Sequence, residues 1–181
     1  MKSKIFFSLL FFAGVLCLFQ EQTIIAQSSN KSPASYVIKP GISVGKISIG
    51  MLRDKVISLV GEPISSLDDG DQFSGFTVHY DDDRVVEIIV FSSQYRTAEG
   101  MSVKNTPEQF LKIYSKSKIT CYSDEGASLI TTGRILDEVE KGIAFDRQTV
   151  EGRSREIVFT ISVHRADTPA KIYGEIKPCK K

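Results

Sequence analysis

The stretch Gly45–Pro63, with the sequence GKISIGMLRDKVISLVGEP, decides the fold that this chain is expected to adopt. It begins with a short segment in which Ile47 and Ile49 alternate with polar residues, as in a half-buried strand. A helix is predicted next, because apolar side chains recur along one face of it. Gly61 can adopt the left-handed conformation that ends a helix, and Pro63 prevents continuation. The apolar helix face consists of Leu52, Val56, Leu59 and Val60.

A weaker version of this pattern returns at Gly100–Tyr114. Thr106 is placed to cap a second helix, with Pro107 in the first helical position. Gln109, three residues after the threonine, completes a capping box. Both stretches therefore predict a short strand followed by one helix. The apolar face of the second helix consists of Phe110, Ile113 and Tyr114.

Each predicted helix is followed by segments that alternate or are rich in Val and Ile, which favours β-strands. The first pair is Phe73–Tyr80 and Arg84–Ser92, separated by an acidic turn, and the second pair is 142–146 and Ile157–Val163. We therefore predict an α+β fold in which two tandem strand–helix–strand–strand units form an antiparallel sheet with helices on one face. The alternative is an α+β domain that shows this order twice without a duplication.

The string I-x-I-G-M-x-x-x-x-V-x-x-x-x-G-E-P at 47–63 resembles the start of the β-lactamase-inhibitor-protein-like fold. Tandem-repeat inhibitor proteins and small outer-membrane-assembly lipoproteins of the SmpA/OmlA type share this fold. The resemblance implies short helices against an antiparallel sheet, in a secreted bacterial protein. This chain departs from the pattern at Leu52, where the family has a capping Ser or Thr. The resemblance assigns no functional residue, since the matching positions are structural: Gly50, Met51, Gly61 and Pro63.

The first 26 residues have the order of a secretory signal peptide. Lys2 and Lys4 precede the apolar run Ile5–Phe19, and a cut is expected after Ala26. A retained membrane anchor is one alternative, although a span needs about 20 apolar residues. A lipoprotein modified at Cys17 is the other. We expect a periplasmic or extracellular protein with a signal peptide at 1–26, a flexible linker at 27–35, repeat units at 36–94 and 95–168, and a C-terminal tail at 169–181.

The charge balance limits the expected classes of partner, and the cysteines bear on a possible disulfide. The chain has 23 basic and 22 acidic residues. Nucleic acids and anionic surfaces need clustered positive charge, so neither is an expected partner. Two cysteines follow the leader, Cys121 and Cys179, and in an oxidising compartment they predict a disulfide between the C-terminal tail and the second half. Two separate thiols are the alternative.

The sequence contains no pattern that predicts catalysis, a metal site or a cofactor. Its two histidines, His79 and His164, are too few for a typical zinc site. The aspartates at 81–83 lack the spacing of a calcium loop and suit a hairpin turn. No glycine-rich phosphate loop occurs either. A pair of catalytic carboxylates stays open, because Asp and Glu are plentiful and nothing singles out two of them.

A sheet with helices on one face leaves its other face as a candidate binding surface. We expect an exported, non-enzymatic protein-binding or scaffold domain that uses this exposed face to grip a protein of the cell envelope or outside it. The alternative is a small-ligand-binding protein or hydrolase with a site between the two units. Convergence of the histidines, Tyr80, Tyr122 and nearby acids around a pocket would favour the alternative. The candidate face carries Thr77, His79, Glu87, Thr160, Ser162 and His164.

Overall fold

The structure, a computed structural model, describes residues 36–125, 130–151 and 155–179. The predicted signal peptide at 1–26, with Cys17, and the predicted linker at 27–35 lie outside the described residues. Among the residues that are described, no helix is long and apolar enough to cross a membrane.

The described residues form two α-helices, a short 3₁₀ helix at Val139–Lys141, and thirteen strands. The helices are α1 (Arg53–Val60) and α2 (Pro107–Ile113). The strands are β1 (Val37–Lys39), β2 (Ser43–Val44), β3 (Ile47–Ser48), β4 (Ser65–Leu67), β5 (Gly70–Phe73), β6 (Phe76–Asp81), β7 (Arg84–Val90), β8 (Arg96–Thr97), β9 (Lys118–Glu125), β10 (Ile130–Glu138), β11 (Ile143–Glu151), β12 (Arg155–His164) and β13 (Glu175–Lys177).

The strands form a small sheet and a large one. The small sheet has the order β3-β2-β1-β8, and the large sheet has the order β13-β9-β10-β11-β12-β7-β6-β5-β4. Neighbouring strands of the large sheet are antiparallel throughout. Helix α1 is followed by the meander β4–β7, and helix α2 by the meander β9–β12. The two meanders pair through their last strands, β7 and β12, and so form one continuous sheet.

The predicted α+β fold of two strand–helix–strand–strand units is wrong. Strands make up 49% of the described residues, and the two helices have only 8 and 7 residues. A meander of four strands follows each helix, where two strands were predicted. The additional strands are β4, β5, β9 and β10, and of these only the last residue of β5, Phe73, falls within a predicted strand segment. Their polar residues conceal the alternation on which the prediction depended.

Two local predictions are confirmed. In α2, the Gln109 amide donates to Thr106 Oγ1 at 3.3 Å and the Thr106 amide donates to Gln109 Oε1 at 2.9 Å, which is a capping box. The turn between β6 and β7 contains Asp82 and Asp83 at φ 49° and 57°. Two consecutive left-handed residues are typical of a tight hairpin, and aspartate tolerates that conformation better than most residues.

One face of the large sheet belongs to the main core, together with the helices and the small sheet. Phe110 of α2 is completely buried, and its ring centroid lies 5.5 Å from that of Phe145 on β11. Val56 is the buried residue of α1. Burial of one large apolar side chain contributes about 1.5–3 kcal/mol to folding. Side chains from the helices thus cover the apolar face of the sheet. The opposite face is covered by another part of the chain.

Candidate functional site

The six residues predicted to form a binding face lie on the side of the large sheet opposite the core. The strand register pairs Glu87 with His79 on one side and with His164 on the other. These three residues therefore form a row across β6, β7 and β12. Directly paired residues and residues two apart in a strand share a face. By that rule the same side holds the other three residues, which are Thr77, Thr160 and Ser162.

This face is covered, whereas the sequence led us to expect it to be exposed. Glu87 and His164 are each 3% exposed and His79 is 6% exposed. Thr160 and Ser162 are buried as well, and Thr77 is partly buried. The covering is the segment 165–179, which we call the C-terminal strap. Its first part lies over the polar face, and its last part joins the edge of the sheet.

The C-terminal strap is fastened to the sheet at several points. The Ala170 amide donates to Asp137 Oδ2 at 2.9 Å. The Lys171 ammonium donates to Asp69 Oδ2 at 2.6 Å, which joins the strap to the loop between β4 and β5. Farther along, β13 pairs with β9 and adds one strand to the sheet. The predicted C-terminal tail is therefore an integral part of the fold.

A disulfide between Cys121 and Cys179 closes the end of the strap onto β9, and the predicted pairing is confirmed. The two Cα atoms lie 5.2 Å apart, within the range that a bridge requires. The two cysteines are 58 residues apart in sequence, and a loop of that size corresponds to about 4 kcal/mol in the chain-entropy treatment.

A cavity of about 200 Å³ lies between the C-terminal strap and the polar face of the sheet. Both meanders and the strap contribute to its walls, so the cavity lies where the two halves of the sheet meet. The residues important for its chemistry are Glu87, Tyr122, Asp146, Gln148, Ser162 and Lys171.

Asp146 on β11 is one of two buried acids in this cavity. Its Oδ2 accepts hydrogen bonds from the Tyr122 hydroxyl and the Gln148 side-chain amide, both at 2.7 Å. Its Oδ1 is buried without a hydrogen-bond partner among the described residues. Burial raises the pKa of Asp146, although the two donors act in the opposite direction.

Glu87 on β7 is the second buried acid. The Ser162 hydroxyl donates to its Oε1, whereas its Oε2 is buried with no hydrogen-bond partner in the described part of the chain. Burial raises the pKa of Glu87, and the Ser162 hydrogen bond, the backbone amide of Lys171 and the charges of His164 and Lys171 only partly oppose this effect. The cavity therefore contains two acids with the same unusual arrangement, in which one oxygen is held by the protein and the other is left free.

Tyr122 reaches Asp146 across an intervening strand. It lies on β9, Asp146 lies on β11, and the residue of β10 paired with the tyrosine is Gly133. A Cβ atom at Gly133 would overlap the Tyr122 ring, so this position has no room for a side chain. The glycine therefore permits the ring to cross β10 and donate to the acid.

His164 and Asp137 form a buried ion pair beneath the strap. His164 Nε2 lies 3.0 Å from Asp137 Oδ1, and its Nδ1 lies 3.1 Å from the Arg165 carbonyl oxygen. Burial alone would lower the pKa of His164, but Asp137, the Arg165 carbonyl and the charge of Glu87 together raise it. Because Asp137 also accepts the Ala170 amide, the charged pair anchors the strap.

His79 is held differently from His164. Its Nδ1 lies 3.3 Å from Asp69 Oδ1. Its ring centroid lies 5.2 Å from that of Tyr173 in the strap. Burial lowers the pKa of His79 in spite of the opposing charge of Asp69, so this histidine is neutral at pH 7. His79 thus packs against the strap without a charge.

Comparison with known proteins adds no functional assignment. No family model matches the chain, and no curated protein and no solved structure matches it either. The resemblance to the β-lactamase-inhibitor-protein-like fold therefore stays a prediction. The described residues also contain no group of three or more His, Cys, Asp or Glu side chains placed to hold a metal ion.

The sequence prediction includes one acid of the cavity and omits the other. Glu87 belongs to the predicted face, but Asp146 enters the prediction only as the end of the segment 142–146. Alternation along that segment places Asp146 on the same side as Ala144 and opposite Phe145, which was the available signal. The strap offered no such signal, because 165–179 has no apolar periodicity and its position depends on contacts with distant residues.

Proposed function

We propose that the protein is an exported, non-enzymatic binding protein that holds a small polar ligand in the cavity beneath the C-terminal strap. The observation that carries the proposal is that Glu87 and Asp146 each keep one buried carboxyl oxygen without a partner among the described residues. Such an atom costs about 1–3 kcal/mol of stability. Folded proteins keep few of them, so each one needs a reason. A ligand that donates hydrogen bonds to both oxygens supplies that reason.

The position of the cavity supports a ligand in preference to a protein partner. It lies between the two meanders, which is where the sequence placed the alternative site for a small molecule. Of the residues whose convergence would favour such a site, Tyr122 lines the cavity and donates to Asp146, whereas His79, His164 and Tyr80 do not line it. A protein could reach this face only after the strap and its disulfide had left it. The disulfide also suits an exported protein, because such bonds persist in oxidising compartments.

The test is ligand-dependent thermal stabilisation of the protein purified from an oxidising compartment with its disulfide intact. A panel of small amines, polyols, sugars, amino acids and carboxylates is screened for compounds that raise Tm, since binding to the folded state stabilises it by mass action. Thr160→Phe fills part of the cavity, because Thr160 lines it. Thr132→Phe is the matched control, because Thr132 lies in a neighbouring part of the sheet and is exposed.

We expect at least one compound to stabilise the wild type and Thr132→Phe but not Thr160→Phe. If no compound stabilises the wild type, or if Thr160→Phe responds as the wild type does, the proposal is overturned. Circular dichroism checks that Thr160→Phe is folded. Ala170→Leu, which fills the cavity from the strap side, is the second blocking variant and carries the same expectation.

A further inference from the structure

The cationic side chains next to the cavity already have acids of their own. Lys171 Nζ lies 2.6 Å from Asp69 Oδ2, and His164 Nε2 lies 3.0 Å from Asp137 Oδ1. In the described part of the chain, no ion pair joins a cation to Glu87 or to Asp146. Asp146 therefore has no cation near it among the described residues. Glu87 has only the charges of His164 and Lys171 nearby, and each of these cations is already paired with another acid.

The other ionisable groups around the cavity do not supply the missing charge. Asp124 lines the cavity, is exposed, and adds negative charge at its rim. Tyr122 and Tyr173 stay neutral, because burial raises the pKa of both. His79, in the same row as Glu87, is neutral because burial lowers its pKa. Because Lys171 and His164 are balanced by Asp69 and Asp137, the remaining acids Glu87, Asp146 and Asp124 leave the cavity with an excess of acidic groups.

We infer that the ligand of this cavity is a small organic cation of the class of primary amines and diamines. The inference rests on the proposed ligand-binding function and names its ligand class. A ligand ammonium would donate to Glu87 Oε2 or to Asp146 Oδ1, the two oxygens without partners, and a diamine would offer one ammonium to each acid. Charge-assisted hydrogen bonds are roughly twice as strong as neutral ones. An anion would instead bring a further negative charge into a site that already contains two buried acids.

The size and walls of the cavity limit the cation further. A volume of about 200 Å³ lies below the range of roughly 300–1,000 Å³ that is usual for drug-sized ligands. A compound such as a four-carbon diamine is therefore appropriate in size. Tyr122 and Tyr173 both line the cavity, and their rings offer apolar and π surfaces to an alkylammonium. The Tyr173 ring already has the Lys171 ammonium 4.8 Å from its centroid.

Affinity for a cation should depend on pH in a definite direction. Because burial raises the pKa of Glu87 and of Asp146, both acids take up protons at a higher pH than exposed acids do. Protonation removes the charge that attracts the ligand, whereas an aliphatic amine stays charged well above neutral pH. The affinity for an amine is therefore expected to fall from neutral to acidic pH, and the affinity for an uncharged analogue is not.

Isothermal titration calorimetry on the full protein with its disulfide intact tests the inference with three probes of equal chain length. The probes are 1,4-diaminobutane, 1,4-butanediol and succinate, which are cationic, neutral and anionic. We expect the diamine to bind more tightly than the diol, and succinate not to bind. Asp146→Asn and Glu87→Gln should each weaken diamine binding about tenfold, since one charge-assisted hydrogen bond becomes neutral. Glu62→Gln is the control, because Glu62 is exposed and outside the cavity.

Three outcomes would overturn the cation assignment: no diamine binding at millimolar concentration, tighter binding of the diol or succinate, or unchanged diamine affinity in Asp146→Asn and Glu87→Gln. The proposed function fails separately, if no compound of the wider panel stabilises the wild type and loses this effect in Thr160→Phe. Both acid substitutions preserve side-chain shape, and thermal unfolding of each variant confirms that it is folded. A diol or sugar that binds and is blocked by Thr160→Phe would therefore reject the cation and keep the binding function.

Discussion

The two faces of the large sheet are buried in opposite ways. The face toward the helices is apolar, and rings such as Phe110 and Phe145 fill the space above it. The face beneath the strap is polar, and Glu87, Asp146 and His164 are exposed by only 3%, 8% and 3%. Apolar burial stabilises a fold without directional requirements. Polar burial stabilises it only when every group has a partner.

This difference separates the part of the molecule that maintains the fold from the part suited to binding. Apolar side chains of similar shape would cover the strap side at no electrostatic cost, and replacement of buried charges in this way is often stabilising. The protein instead keeps two acids there with a free oxygen each. Groups that lower stability in this manner are typical of functional sites, where stability and activity oppose each other.

The largest effect is expected on the apolar face, from Phe110→Ala. Phe110 is completely buried against Phe145, so truncation removes its transfer free energy and leaves a cavity. The free energy of unfolding should fall by about 3–5 kcal/mol. Urea denaturation measures the change, and Lys112→Ala on the exposed side of the same helix is the control. A loss below about 1 kcal/mol would contradict the assignment of this face as the main core.

Removal of the disulfide should destabilise the polar face beneath the C-terminal strap more than the apolar face. Cys121→Ser combined with Cys179→Ser releases the end of the strap, and the free energy of unfolding should fall by about 2–4 kcal/mol. Native-state hydrogen exchange locates the effect: the amides of β13 and of Ala170 should lose protection, while those of α2 keep most of theirs. Equal loss of protection on both faces would show that the strap and the core unfold as one unit.

Local chemistry was sufficient to predict some parts of this structure. The N-terminal cap of α2 depends on three side chains within four residues, which are Thr106, Pro107 and Gln109. An interaction between such close neighbours in sequence can be predicted from the sequence alone. The tight turn at Asp82 and Asp83 follows from residue type in the same way. Alternation also placed the six residues of the predicted face on one side of the sheet, because the period of a strand is 2 whatever covers it.

Long-range contacts account for what could not be predicted. Strand β5 has the sequence GDQF, and Arg53 of α1 donates to both carboxylate oxygens of its buried Asp71 at 2.8 Å. Nothing near Asp71 in sequence shows that partner. The strap is a similar case, because it is held by Asp137, Cys121 and Asp69. These residues are 33, 58 and 102 positions away in sequence from the strap residues that they contact. Burial of the polar face was invisible for the same reason.

Gly133→Ala should disturb the polar face in a way that a second substitution can relieve. The new methyl group overlaps the Tyr122 ring, so the ring must leave its position above β10 and its hydrogen bond to Asp146. The free energy of unfolding should fall by about 1–3 kcal/mol. In a Tyr122→Ala background the same substitution should cost much less, and a double-mutant cycle measures this coupling. Additive effects would show that the glycine serves the backbone of β10 and not the ring.

The smallest effect has the opposite sign, and it is a gain in stability from Asp146→Asn. The side chain keeps its shape and can still accept from Tyr122 and Gln148, but it no longer carries a charge in a buried place. Burial raises the pKa of Asp146, so the folded protein holds that proton to a higher pH than the unfolded chain does. Stability of the wild type therefore falls as pH rises from the ordinary pKa of an aspartate to the raised one, and then levels off.

The Asp146→Asn variant lacks this decline. At acidic pH, where Asp146 of the wild type is protonated in both the folded and the unfolded protein, the two free energies of unfolding should be nearly equal. At neutral pH the variant should be more stable by about 1 kcal/mol. His164 titrates in wild type and variant alike, so its contribution cancels in the difference. Urea denaturation across this pH range measures the difference in free energy of unfolding, and Glu62→Gln is the exposed control. A variant that is less stable than the wild type at neutral pH would mean that the ionised acid stabilises the strap side, and the contrast between the two faces would disappear. A variant that is more stable but binds the diamine less tightly would show that the same carboxylate opposes folding and favours the ligand.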